Sequence, residues 1–440
     1  MLLNNNLREL LSKAGIYFLF RVFGFLFAYI FALFVIKKFG SETYGLVTLS
    51  FTFIVIGSAI TRLGFDVHLT KVFSSNLETD TKTNLYVTSF IISVVISFII
   101  ATSLYLLSNF ISTHIFFNQK LQPYLKWGAI TLPFLSIVLI NSGVFRGLKR
   151  NTLFSIFNTF GRFFLATIFT LIFVYILNRS SEWVIIGHFL GLALLAVVSL
   201  IIIFKLLRPL GQIKWDSTLD FTKDSVPILM ALLVVMLLDW TDKIFLGIFE
   251  DESKVGVYDI VFRIAVLIKF CLEAINSILA PKISEFYHCQ QFDELQKIVS
   301  YSTKLNTYIS LLIFVGIIVF CNPILLFLGE DFIEGQIALI ILAFGQLIGS
   351  LSGSVGVILQ MTGHQKIFRN IAIVALVLNV ILNVVLINLY GLTGAAIATT
   401  TSLITLNVLS AFYIKKMLKI TSYYQLTAVF SSNSANKRNS

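Results

Sequence analysis

Residues 14–36 read AGIYFLFRVFGFLFAYIFALFVI, an apolar run interrupted by a single charge, Arg21. A helix needs about 20 mostly apolar residues to cross a bilayer, so this run is expected to be a membrane span. It exceeds the ~7–15-residue core of a secretory signal and no small-residue cleavage site follows it, so it is expected to remain in the mature protein. Arg21 carries a penalty of at least ~2.5 kcal/mol at such a depth by insertion scales. A polar partner, an aqueous face or a ligand must offset it.

The pattern recurs down the chain. Spans are expected at approximately 14–36, 44–65, 84–107, 124–145, 153–177, 183–204, 225–248, 256–280, 305–328, 336–360, 370–389 and 392–414. Composition agrees, with 57% of the 440 residues hydrophobic and 12% charged, against roughly 25% charged in soluble domains. Mean hydropathy is +0.90. The expected fold class is an all-α polytopic membrane protein. Cys271, Cys289 and Cys321 have neither metal-site spacing nor a disulfide framework.

The net charge of +11 follows from topology. With the boundaries above, 21 of the 33 Lys+Arg fall at the N-terminus, in every second loop and in the tail, and six fall on the opposite side. The other six lie within spans: Arg21, Arg62, Arg162, Lys243, Arg263 and Lys269. Short loops rich in Lys and Arg stay in the cytoplasm, so both termini are expected there. No nucleic-acid partner is needed to explain the charge. Trp127, Trp183 and Trp240 near span ends suit an interfacial belt.

The chain also repeats itself. The segment 40–45, GSETYG, opens the second span, and 250–258, EDESKVGVY, opens the eighth. Twenty-five residues beyond Gly45 and Gly256 stand Thr70-Lys71 and Pro281-Lys282. A second echo links 147–150, GLKR, with 363–366, GHQK. Six spans per half entering from the same side imply a parallel repeat. The expected organisation is an N-terminus (1–13), an N-lobe (14–204), a cytoplasmic linker (205–224), a C-lobe (225–414) and a cytoplasmic tail (415–440), disordered from about 431. The expectation is about twelve transmembrane helices in two six-helix lobes around a central cavity.

Five motifs then occur in order: Gly256-Val-Tyr258 with Arg263, Pro281-Lys-Ile-Ser284, Gly363-His-Gln-Lys366, Asn379-Val-Ile-Leu-Asn383, and the run 390–399, YGLTGAAIAT. Together with Ser12-Lys-Ala-Gly15 and Phe39 to Gly45, they resemble the Wzx-type polysaccharide flippases of the multidrug/oligosaccharidyl-lipid/polysaccharide exporter superfamily. The resemblance runs through most of the second half. It implies a two-lobed transporter in the bacterial cytoplasmic (inner) membrane. That transporter would turn an undecaprenyl-diphosphate-linked oligosaccharide to the outer leaflet by alternating access, for O-antigen, capsule or exopolysaccharide synthesis. Implied partners are the lipid-linked oligosaccharide, the bilayer, a polysaccharide polymerase and glycosyltransferases.

The charges inside spans supply the candidate site. Arg62 and Asp66, Asp239 and Lys243, Asp259 and Arg263, and Lys269 and Glu273 are each spaced i, i+4, which places the partners on one helix face. Arg21 and Arg162 have no such neighbour, and a planar guanidinium suits a diphosphate or a sugar acid. Cavity or substrate contact is expected for Arg21, Arg162, Arg62 and Lys269, and for Arg263 by the resemblance. Asn379 and Asn383 share a helix face, where they could line a sugar path or bond between helices. Asp239, Asp242 and Asp259 could titrate in a low-dielectric site and couple an ion, with pairing to a cation as the competing role. His188 in the sixth span suits a satisfied bundle histidine or a proton relay.

No catalytic motif, metal-ligand spacing or phosphate-binding loop occurs, so neither an enzyme nor a cofactor is expected. The alternatives are an ion-coupled exporter of the multidrug and toxin extrusion type and a membrane polysaccharide polymerase or glycosyltransferase. The exporter would be expected to carry carboxylates in its N-terminal lobe, and the polymerase a large outward loop.

Overall fold

A computed structural model describes residues 2–207 and 215–425. The middle of the expected linker (208–214) and the tail from 426, including the stretch expected to be disordered from 431, lie outside the described residues. All regular structure among the described residues is helical. In lipid every backbone N–H and C=O must be satisfied within its own segment, and a helix does this.

The helices are α1 (Leu2–Arg62), α2 (Phe65–Ser74), α3 (Thr79–Phe110), α4 (Leu121–Gly147), α5 (Asn151–Ile176), α6 (Trp183–Leu206) and α7 (Asp216–Phe249). They continue as α8 (Glu252–His288), α9 (Phe292–Val319), α10 (Cys321–Leu328), α11 (Gln336–Ser352), α12 (Val355–Met361) and α13 (Gln365–Leu418). Nine helical stretches among the described residues are long and apolar enough to cross a membrane. Two of them are broken by a glycine, α1 at Gly40 (φ 81°) and α13 at Gly391 (φ 54°). Positive φ is open to glycine and strained for most other residues, so these glycines mark where one apolar run ends and the next begins. Beyond the second break, Gly394 lies so close to the Leu386 carbonyl that a Cβ would clash with it. The 37 residues of α8 are also of membrane length, but Asp259, Arg263, Lys269 and Glu273 make them more polar than the other stretches.

The chain divides into two compact units, Met1–Gly256 and Val257–Ser440. In the first, α4 is the hub, packing against α1, α2, α3, α5 and α6 and burying Leu121, Leu125, Leu132, Leu135, Val138 and Phe145. The outward faces remain apolar, as in Phe98 and Leu106 of α3 and Phe204 of α6. Water would penalise such faces and lipid does not. Three stretches of π-helix interrupt this unit, at 111–115, 156–160 and 171–176. Each extra residue re-phases the helix face that follows. The second of them ends one residue before Gly161-Arg162.

One expectation changes at the end of the second span. Arg62 and Asp66 do form an ion pair, but they do not share a helix. α1 ends at Arg62 and α2 begins at Phe65, with Leu63 (φ 50°) and Gly64 (φ 78°) between them. The pair therefore closes across a turn, and Arg62 Nε also donates to the Ser58 carbonyl at 2.8 Å. α2 then lies against the start of α7. His68 stacks on Phe221 at 3.9 Å and its Nδ1 is 2.7 Å from the Ser225 hydroxyl. Burial first, and Lys71 second, push the His68 pKa below its ordinary value.

In the second unit, α9, α11 and α13 pack on one another. One end of it closes over an apolar cluster of Leu279, Ile283, Leu295, Val299, Ile358 and Ile414. The chain beyond α13 is pinned there: Gln296 Oε1 accepts from Thr421 N at 2.7 Å, Thr303 donates to the Ser422 carbonyl at 2.8 Å, and Tyr424 N donates to the Leu351 carbonyl at 2.9 Å.

Candidate functional site

In the first unit the strongest constellation forms around Arg162. The residue follows the π-helical stretch of α5, and its guanidinium carbon lies 5.6 Å from the ring centre of Phe51 and 5.1 Å from that of Phe163. Its Nε donates to Nε2 of His188 at 3.0 Å. His188 comes from α6, is fully buried, and lies against the same Phe51 ring at 4.4 Å. Arginine Nε–H can only donate, so His188 accepts at Nε2 and carries its proton on Nδ1. The ring is neutral in this arrangement. Phe51 belongs to the second apolar run of α1, so three spans converge on one half-buried arginine. A guanidinium beside aromatic rings keeps its charge, and its planar fork matches the geometry of an anion.

Arg21 is half-buried, with its guanidinium 5.9 Å from the Phe25 ring. The faces of α1 and α5 meet near these two arginines. Phe20 and Phe27 pack edge-on against Phe160 at 5.4 and 5.7 Å, and Phe27 meets Phe164 at 5.1 Å. In α7, Asp242 is fully buried and Asp239 half-buried. The Lys243 ammonium lies 3.9 Å from the Trp240 ring centre.

A second feature of this unit lies at the first glycine break. Gly45 rests against the carbonyl of Glu252 and Gly256 against that of Ser41, each so closely that a Cβ would overlap it. The Ser41 and Ser253 hydroxyls bond at 2.7 Å. Small residues permit such backbone approach in membranes, and this clasp joins the two segments that the sequence repeat aligns. Beside it, Lys120 and Glu42 form an exposed pair at 2.7 Å, and this bond raises the lysine pKa.

The second unit holds the remaining candidates. Arg263 Nε donates to Asp259 Oδ2 at 2.6 Å, with the carboxylate fully buried and the arginine partly exposed. Lys269 is half-buried one and a half turns further along α8. Asn383 Nδ2 donates to Asn379 Oδ1 at 3.0 Å, and both residues are fully buried in α13. Tyr258 and Thr399 bond through their hydroxyls at 2.9 Å, tying α8 to α13.

Comparison with known proteins places this geometry in a family. The family model described as polysaccharide biosynthesis protein matches residues 10–287, well over half of the chain. The chain is a member of that family. A second family model, MatE, matches residues 227–385. The chain is 30% identical over 186 residues to the probable low-salt glycan biosynthesis flippase Agl15 of Haloferax volcanii, covering 42% of this chain and 39% of that one. Against the probable flippase AglR of the same organism it is 27% identical over 168 residues, covering 37% and 35%. The match thus spans less than half the length of either relative. Among solved structures it shares its fold with the lipid II flippase MurJ (TM-score 0.76, 15% identity, 92% of this chain and 87% of that one). It also shares it with the multidrug transporter DinF-BH (TM-score 0.72, 17% identity, 93% of this chain and 95% of that one).

Of the residues singled out from the sequence, the structure brings together Asp259 with Arg263, Asn379 with Asn383, and Arg62 with Asp66. It also supplies partners for Arg162 that local spacing does not reveal. His188 lies 26 positions away on another helix, and Phe51 more than a hundred. The only sequence signal was that each is unusual for its place: a lone arginine and a lone histidine in neighbouring apolar runs.

Proposed function

We propose that this chain is a flippase. It turns a polyprenyl-diphosphate-linked oligosaccharide, undecaprenyl-linked in a bacterium, from the cytoplasmic to the outer leaflet by alternating access, for synthesis of a surface polysaccharide. The observation that carries this reading is the sign and presentation of charge in spans one and five. Spans one and five hold Arg21 and Arg162 and no acid, and the Arg162 guanidinium lies between Phe51 and Phe163, 5.6 and 5.1 Å from their ring centres. A fixed cation inside a span is tolerated where it serves an anion or an aqueous path, and a diphosphate is the dianionic group such a fork fits. The names of the two Haloferax relatives support the same class.

The reading implies an inner-membrane protein with both termini cytoplasmic, working beside a polymerase and glycosyltransferases. Translocation breaks no covalent bond, so it calls for no catalytic residue. The MatE match over 227–385 favours a second reading, a drug exporter, and one paired experiment separates the two. Deletion should make lipid-linked oligosaccharide accumulate on the cytoplasmic leaflet, and overexpression should leave resistance to ethidium unchanged. Raised ethidium resistance without a change in glycan distribution would replace the flippase with the exporter.

A further inference from the structure

We propose that His188 is the positioning residue for Arg162: its neutral imidazole clamps the guanidinium in the Phe51–Phe163 slot, and a proton taken up by that ring releases it. The inference deepens the flippase reading, in which Arg162 meets the diphosphate. Three observations carry it. The bond from Arg162 Nε to His188 Nε2 is 3.0 Å. Phe51 touches both groups, at 5.6 Å from the guanidinium carbon and 4.4 Å from the imidazole, so a shift of either is felt by the other. The third is the other ring nitrogen, Nδ1, which is buried with no hydrogen-bond partner among the described residues.

That last point argues against a packing role. An unsatisfied buried donor is destabilising, and phenylalanine or leucine would fill the space without it. What an imidazole adds is an acceptor at Nε2 that exists only in its neutral form. Protonation would set N–H against N–H and place two positive charges about 3 Å apart, so the clamp and the proton exclude each other.

The surroundings offer the proton no compensation. α6 packs against α1, α4 and α5, and the charged group that faces His188 is Arg162 itself. On α4, Lys126 stacks on Tyr105 and Arg146 on Phe154. On α1, Arg21 lies over Phe25 and Arg62 pairs with Asp66. The charged groups of α6 and its cap, Glu182 and Lys205, are at its two ends. Among the described residues no carboxylate acts on the imidazole, so an incoming proton must displace the arginine. Binding of an anion and of a proton at this pair are then linked, each changing the affinity of the other by the same factor.

The test uses the full-length protein in nanodiscs, with ¹⁵N-labelled histidine and arginine. At pH 8 the His188 signal, assigned by its loss in His188→Gln, should be the Nδ1–H tautomer. On acidification to pH 5 the Arg162 Nε signal should move in the native protein and stay in place in His188→Gln, whose side-chain carbonyl still accepts but does not titrate. An Nε2–H tautomer, or an Arg162 signal indifferent to pH in the native protein, would overturn the proposal. If His188→Gln does not fold, Arg162→Lys replaces it, and there the His188 signal must shift from its native position. Binding of geranylgeranyl diphosphate across the same pH range tests the function separately. Relative to His188→Gln, native affinity should change by about tenfold for each unit of pH over which the ring takes up its proton. Absence of diphosphate binding with the clamp intact in the spectra would sink the flippase reading and leave the positioning role standing.

Discussion

At the scale of single residues, the pair most dependent on its partner is Asp259 with Arg263. The carboxylate is fully buried and its bond to the arginine is 2.6 Å. Removing one member of a buried pair leaves an uncompensated charge and costs about 3–5 kcal/mol, whereas replacing both is often nearly neutral. Asp259→Ala should therefore lower the thermal midpoint of the purified protein clearly, and Asp259→Ala/Arg263→Leu should recover most of the loss. A double variant whose loss equals the sum of the single ones would show that the two residues do not support each other. The same geometry bears on ion coupling. A carboxylate already serving a cation one turn away is less suited to binding a transported ion.

At the scale of elements, the glycine breaks and the clasp decide how the helices are joined. Gly40 ends one apolar run of α1, and five residues later Gly45 admits the backbone of the segment leading into α8. The hydroxyls of Ser41 and Ser253 are 2.7 Å apart, near enough for two thiols to bond without moving the backbone far. The double variant Ser41→Cys/Ser253→Cys, in a background without the three native cysteines, should oxidise readily. If this clasp opens during the transport cycle, the disulfide should abolish glycan translocation and a reductant should restore it. Full activity in a protein shown to be cross-linked would mean that the clasp stays shut throughout.

At the scale of the whole molecule, the testable property is topology. Counting each glycine-broken helix as two and adding α8 brings the nine membrane-length stretches to the twelve expected from hydropathy, and an even number keeps both termini on one side. By the excess of Lys and Arg in alternate loops, the expected side is the cytoplasm. Glu78 and Asp251 are both exposed, whereas Glu252 beside the clasp is buried and unsuitable as a probe. An impermeant thiol reagent added to whole cells should label Asp251→Cys and spare Glu78→Cys. The reverse pattern would invert the molecule.

The helical membrane class and the approximate places of the spans were legible in the sequence. A bilayer imposes length and apolarity on each segment separately, and both can be counted along the chain. The Asp259–Arg263 pair was legible for a similar reason, since one helical turn fixes which neighbours meet. The Arg62–Asp66 pair was legible as a contact but not as a geometry, because Leu63 and Gly64 adopt positive φ between the partners. What escaped the sequence was every meeting between helices: Arg162 with His188, His68 with Phe221, Gly45 with Glu252. In a soluble bundle the apolar stripe of a helix tells which side turns inward. Within lipid both sides are apolar, so the pattern carries no such direction. Which faces touch is settled by where small residues let backbones approach and where buried polar groups find partners, and those conditions exist only once the helices are packed.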